Sequence, residues 1–308
     1  IVSSQSEELA LSISSCCEVT KALNDELHPC HDVVNWQADQ WKPQILQIEN
    51  SKMHRPEAWT GDIVNAPILF LSSNPSFDKD ENYPNWETGE WPIERVVDFS
   101  INRFTSRIKR GYGASDGLSA HEVDRTIGKD GELLGKVTYW NWARSMVAYI
   151  HGKEISQVSA HSDYAMTEIV HCKSKDAKGV AEASSFCIEK WMEPIFATSP
   201  AKVVVLLGSK VRDYYAKPVL GAGNEFGSSQ GYGELTQKER AVRDIFVETV
   251  GGVNRVFVFN WHPVHAGMRV FRKVYGDQLV DWLTDMLEGK ESVPEKNELR
   301  SKIQSFFA

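Results

Sequence analysis

Four short apolar runs, at residues 67–72, 165–172, 202–208 and 255–261, are the feature that most narrows the folds open to this 308-residue chain. The last three are rich in β-branched or aromatic residues, as parallel strands covered on both faces should be. Helical patterns lie between them. Residues 139–151 read as one helix and 183–198 as another, with Phe186, Ile188, Trp191, Met192 and Ile195 at mixed three- and four-residue spacing. Thr236 and Glu239 form a capping box ahead of a helix predicted over 240–250. Leu279, Trp282, Leu283, Met286 and Leu287 make an apolar stripe on a helix ending near Gly289. Strands alternating with helices predict an α/β domain built on a mostly parallel sheet. Residues 221–233 read as a surface loop and 290–300 as a polar connection to a short C-terminal helix. No linker divides the chain, so residues 1–55 are read as a helical extension and 56–308 as one domain.

Composition bounds the partners. The chain is 42% hydrophobic and 25% charged, ordinary for a globular protein with a sizeable core. No run of 18 apolar residues is present, so no membrane span is expected. The first 17 residues lack a basic segment and carry Glu7 and Glu8, which argues against a secretory signal. Five cysteines are too few and too odd in number for a disulfide framework, which points to a reducing, cytoplasmic setting. The net charge of −8 argues against a broad nucleic-acid footprint, but a local patch suffices to grip a few nucleotides. Arg103, Arg107, Lys109 and Arg110 form one candidate patch; Arg269, Arg272 and Lys273 form another. The alternative is that both are solvated helix faces.

In open α/β sheets ligands sit at the carboxyl ends of strands. Three of the runs end in polar segments: Ser72-Ser73-Asn74-Pro75-Ser76, then Thr167-Glu168-Ile169-Val170-His171-Cys172, then Asn260-Trp261-His262-Pro263-Val264-His265. In that order they resemble the motifs of the uracil-DNA glycosylase superfamily. The first is similar to a strand followed by G-Q-D-P-Y, G-I-N-P-G or G-E-A-P-G. The second is similar to the base-reading T-N-V-V-K-C of the iron–sulfur branch, and the third to H-P-S-P. The resemblance continues through Cys187 and the strand ending at Gly208, and covers roughly residues 60–288. It implies a three-layer α/β/α fold with a central, mostly parallel four-stranded sheet. The implied activity is base flipping and hydrolysis of an N-glycosidic bond by a monomeric, monofunctional DNA glycosylase.

Such hydrolysis gathers negative charge on the departing base while a water is held at the sugar. Asn74 stands where the family holds a carboxylate or an asparagine beside that water. An amide orients water but cannot take its proton, so Asp78 or Asp80 is the candidate base. Read alone, Asn74-Pro75 is a turn signal. His262 resembles the histidine that donates to the pyrimidine O2, and His265 is a second donor or a phosphate contact. Met268 or Arg269 stands where the family fills the gap left by a flipped base.

The base contacts are assigned to Ser76, Tyr83 and Glu168. Family members that exclude thymine carry a tyrosine where this chain has Ser76, so a C5 substituent has room here. Glu168 replaces the asparagine that reads the Watson–Crick edge. An ionised carboxylate only accepts, so it repels uracil O4 and accepts from cytosine N4. Together they imply a C5-modified cytosine, and the resemblance extends to bacterial members that excise glucosylated 5-hydroxymethylcytosine from phage DNA. The insertion at 102–135 is a candidate wall for such a sugar. Other readings stay open: a repair glycosylase for uracil or a damaged pyrimidine, a catalytically silent DNA-binding module, and, for Glu168, a protonated contact to cytosine N3, a base, or a purely structural carboxylate.

The iron–sulfur branch ligates a 4Fe–4S cluster with four cysteines, and Cys172 and Cys187 match the later pair. Cys16, Cys17 and Cys30 do not form the early C-x-x-C, so the expectation is buried, inert cysteines with no metal and no cofactor.

Overall fold

A computed structural model describes residues 4–40, 52–87, 89–105, 107, 109, 117–261 and 271–308. In chain order its first elements are α1 (Gln5–Ser14), α2 (Glu18–Asn24), α3 (His31–Asp39), β1 (Ile68–Ser72), α4 (Ile93–Asn102), α5 (Ala120–Val123), β2 (Arg125–Ile127), β3 (Leu133–Lys136) and α6 (Thr138–His151). They are followed by β4 (Ala165–Glu168), α7 (Val180–Thr198), β5 (Val203–Leu207), α8 (Gly208–Val211), α9 (Gln237–Asp244), β6 (Ile245–Val250) and β7 (Val253–Asn260). Three helices close the chain: α10 (Phe271–Tyr275), α11 (Asp277–Leu287) and α12 (Leu299–Ser305).

The fold is α/β, and its principal sheet has five strands in the order β4-β1-β5-β7-β6. β5 runs parallel to both β1 and β7. Every residue of β1 and β5 is buried, which is why their sequences, ILFLS and VVVLL, show no alternation. The fifth strand corrects the sequence expectation of four. The capping box at Thr236 and Glu239 does open a helix, but α9 stops at Asp244. The next six residues, IFVETV, form β6 and pair antiparallel with β7 through the turn at Gly251 and Gly252. β-branched residues with partly alternating burial suit an edge strand better than a helix turn. A Cβ at Gly251, which has φ +59°, would lie 2.3 Å from the Phe196 carbonyl carbon, so only glycine fits there.

The chain forms two compact units. One comprises residues 63–72, 138–165 and 196–308. Its core holds β1, β5, β6 and β7, with Phe70 edge-on to Trp142 and Tyr164 at 5.8 and 5.6 Å between centroids. On α11, Leu279, Trp282, Leu283 and Met286 of the stripe are buried together with Val280, while Leu287 is half-buried. Arg255 is fully buried here. Its guanidinium donates to the carbonyls of Phe196 (2.7 Å), Ser199 (2.6 Å), Val250 (3.1 Å) and Ala201. A cation thus satisfies carbonyls at the C-terminus of α7, where the helix dipole favours positive charge.

The other unit comprises residues 1–62, 73–137 and 166–195. The three N-terminal helices, the β2–β3 hairpin and most of α7 belong to it. So do the segments that follow β1 and β4, and these carry the candidate site.

Candidate active site

The backbone beyond β1 and the backbone beyond β4 run together. Val170 N–H donates to Ser73 O at 3.0 Å, and Ser174 N–H donates to Pro75 O at 3.4 Å. That pairing puts Asn74 beside Ser174. Its Nδ2 donates to Ser174 Oγ at 3.0 Å, to Ser174 O at 3.2 Å and to Pro75 O at 3.1 Å. Three acceptors around the nitrogen settle which way the amide faces. Oδ1 accepts from Ser73 Oγ at 3.3 Å and retains capacity for a second donor.

Ser76 is exposed and borders a pocket with Trp36, Phe77, Asp78, Lys136 and Lys175. Asp78 is half-buried in that pocket, and its Oδ1 accepts from Asp80 N–H at 3.1 Å. Within 102–135, Thr126 of β2 and Gly135 of β3 line the same pocket as Ser76. Glu168, the last residue of β4, is buried at 5% exposure. His262, His265, Met268 and Arg269 lie outside the described residues; β7 leads to them through buried Asn260.

Tyr83 sits in an ionic cluster that the sequence reading missed. Its hydroxyl donates to Glu57 Oε2 at 3.0 Å, the Lys173 ammonium lies 3.8 Å from its ring centroid, and His54 stacks on it at 4.8 Å. Arg103 Nη1 donates to both Glu57 oxygens at 2.9 and 2.8 Å. Its Nη2 donates to both Glu81 oxygens at 2.6 and 2.9 Å. Lys173, with no exposed surface, donates to Glu57 Oε2 at 3.0 Å. Arg103 is therefore not part of a basic surface patch: two buried carboxylates hold it inside. Burial opposes ionisation of Glu57, yet Arg103 and Lys173 outweigh it and bring its pKa down to about 2.

Other members of the two patches are engaged as well. Arg107 donates to Gly117 O at 2.8 Å, and Arg272 is paired with Asp277 and Asp281, each at 3.1 Å. Arg110 and Arg269 lie outside the described residues.

Cys16, Cys30, Cys172 and Cys187 line one small pocket with Ile13, Phe186 and Trp191 among its walls. The sequence spacing set the early cysteines aside, but the fold brings them in. Cys16 lies between α1 and α2, Cys30 caps α3, Cys172 follows β4 and Cys187 lies on α7. Burial pushes the Cys30 and Cys187 thiols up to about 12 and raises those of Cys16 and Cys172. The Lys190 cation pulls Cys16, Cys30 and Cys187 the other way, toward thiolate. Among the described residues no group of three or more His, Cys, Asp or Glu is placed to hold a metal ion. Cysteine thiolates are the donors that iron–sulfur clusters use, and four of the five cysteines share this pocket. Cys17, the fifth cysteine, is exposed. No family model and no curated protein matches the chain.

Proposed function

We propose that the protein is a monofunctional DNA glycosylase of the uracil-DNA glycosylase type that flips out a C5-modified cytosine and leaves an abasic site. Glucosylated 5-hydroxymethylcytosine in phage DNA is the substrate we favour, which makes the role anti-phage defence. The observation that carries the reading is the locked amide of Asn74 beyond the end of β1. With Nδ2 committed to Ser174, Oδ1 is the atom left to accept from a water at the sugar. Holding that water costs no reorganisation when the bond breaks. Asp78, four residues on, is the candidate acceptor of its proton. Ser76 leaves open space at C5, and Glu168 offers a buried acceptor to the cytosine amino group. His262 is assigned the hydrogen bond to O2 through its motif, with His265, Met268 and Arg269 as DNA contacts. The five-stranded α/β sheet is compatible with the three-layer arrangement of that superfamily.

We assign Cys16, Cys30, Cys172 and Cys187 as the ligands of a 4Fe–4S cluster. When bound, the group supplies structural cross-linking, since its ligands span the N-terminal helices, the segment after β4 and α7.

The deciding experiment incubates the protein with duplexes containing uracil, 5-methylcytosine, 5-hydroxymethylcytosine or its glucosylated form, followed by alkali. Abasic sites are expected in the modified-cytosine DNA and not with Asn74→Ala. Excision confined to uracil would move the protein to base repair. Binding without excision of any base would leave a DNA-binding module.

A further inference from the structure

Asn74 is held by Ser174, so what holds Ser174 matters. The preceding segment, residues 171–173, is gripped at every residue by groups outside the candidate substrate pocket. Glu57 N–H donates to His171 O at 2.9 Å, and His171 Nδ1–H donates to Glu57 O at 2.7 Å. Cys172 faces the cysteine pocket. Lys173 places its ammonium on Glu57 Oε2 and over the Tyr83 ring, while Gln37 of α3 donates to Lys173 O at 3.4 Å. Glu57 is the common partner: its backbone takes residue 171 and its carboxylate takes residue 173. Arg103, itself held by Glu81, then fixes that carboxylate in turn.

Two further features mark the stretch as over-determined. Asp176 and Ala177 both have φ +54°, a left-handed conformation that costs non-glycine residues and persists only where the surroundings enforce it. Gly179, with φ +70°, lies so close to α3 that a Cβ would sit 2.2 Å from Val33 N. A fully buried lysine is also a poor device for stability, because an apolar side chain fills the space without desolvating a charge. What the ion pair adds is direction.

We infer that Glu57 and Lys173 are positioning residues that set the orientation of the Asn74 amide through Ser174. This rests on the reading of Asn74 as the water-holding residue for its functional meaning, but the geometric claim stands apart from it. The Glu57–Lys173 pair fixes residue 173 and with it the backbone entering Ser174, whose hydroxyl is further held by donating to Lys178 O at 2.9 Å. The carbonyl and hydroxyl of Ser174 fix Nδ2.

The test uses the full chain labelled with 15N-asparagine, the Asn74 side-chain amide being assigned by its loss in Asn74→Ala. In the wild type its two protons should exchange with water at least tenfold more slowly than those of an exposed asparagine. Exchange at the exposed rate overturns the inference without any mutant. In Lys173→Met, which keeps length and removes charge, the Asn74 signals should shift and exchange at least tenfold faster. Circular dichroism should be unchanged, and kcat on the excised base should fall tenfold or more with KM within about threefold. A folded Lys173→Met protein with unchanged Asn74 signals overturns the proposal. If the single variant fails to fold, Glu57→Gln/Lys173→Met removes both charges together, and the same signals decide. Loss of the Asn74 signature in a protein that excises no base would refute the glycosylase reading and leave the positioning role standing.

Discussion

Asn74 and Ser174, one hundred residues apart in sequence, are joined by two hydrogen bonds from a single nitrogen, to a hydroxyl at 3.0 Å and a carbonyl at 3.2 Å. One of the two can be removed without touching the backbone. In Ser174→Ala the carbonyl contact stays, and the Lys178 carbonyl that Ser174 Oγ now serves at 2.9 Å loses its donor. A hydrogen bond of this kind contributes about 1 kcal/mol net, so kcat should fall by roughly fivefold to tenfold. Steady-state excision rates measure it; an unchanged rate would mean that Ser174 Oγ does not restrain Asn74.

Arg255 makes a prediction about stability alone. Arg255→Met keeps most of the side-chain volume but leaves the carbonyls of Phe196, Ser199, Ala201 and Val250 without this donor in a buried site. Unsatisfied buried groups cost about 1–3 kcal/mol each, so a total loss above about 3 kcal/mol is expected. Urea unfolding followed by circular dichroism reads it, and a loss under about 1 kcal/mol would show that water or rearrangement replaces the cation.

Acid should weaken the fold in two stages. Burial, with nearby Lys173 and Arg103 adding to it, holds His54 well below its ordinary 6.5, and burial brings His171 down to about 4. The unfolded chain takes up these protons near pH 6.5 and the folded chain does not. Stability is therefore complete above pH 6.5 and declines below it, for His171 until about pH 4. Glu57 works at lower pH: burial opposes its charge, but Arg103 and Lys173 hold it at about 2, so its contribution is present above its ordinary 4.5 and lost as pH falls toward 2. Each buried histidine lowers the unfolding free energy by up to about 1.4 kcal/mol per pH unit. Unfolding free energies at a series of pH values from 8 to 4 test this, and a flat profile below pH 6.5 would contradict the buried neutral histidines.

The cysteine pocket predicts a coloured protein. Anaerobic purification should give a brown product with about four iron atoms per chain, and Cys30→Ser or Cys187→Ser should lose most of the iron. Cys17→Ser should keep it, because Cys17 lies outside the pocket. Colourless, iron-free wild type would remove the cluster from the reading.

What the sequence reveals here follows the range of the forces involved. β1, β5 and β7 fall on runs of contiguous apolar residues because burial on both faces writes itself locally. The capping box at Thr236 is equally local. β6 was hidden because IFVETV continues directly from a capped helix, and its strand character depends on pairing with β7. Residues 169–172 looked like more of β4, but the strand ends at Glu168 and the chain turns to meet Glu57. Arg103 read as a surface cation beside Arg107 and Lys109 because its partners, Glu57 and Glu81, lie 46 and 22 residues away. The cysteines are the same case: Cys16 and Cys30 match no local motif, and only the packing of the N-terminal helices brings them to Cys172 and Cys187.

Glu168 provides the test of base identity. Under the proposed reading, Glu168, buried at the end of β4, accepts from the base's amino group, and such a charge-assisted hydrogen bond gains in a dry environment. Glu168→Gln keeps nearly the same size and restores one donor, so activity on cytosine-derived bases should fall by roughly tenfold to a hundredfold. The same donor faces O4 of a uracil-type base, so excision of uracil should rise. Glu168→Ala removes the contact without replacement and should lose activity on every base. If Glu168 instead activated the water, Glu168→Gln would abolish all activity with no gain on uracil. Parallel rate measurements on uracil and modified-cytosine duplexes separate these outcomes, and equal activity of wild type and Glu168→Gln on both would take the residue, and the cytosine assignment with it, out of the site.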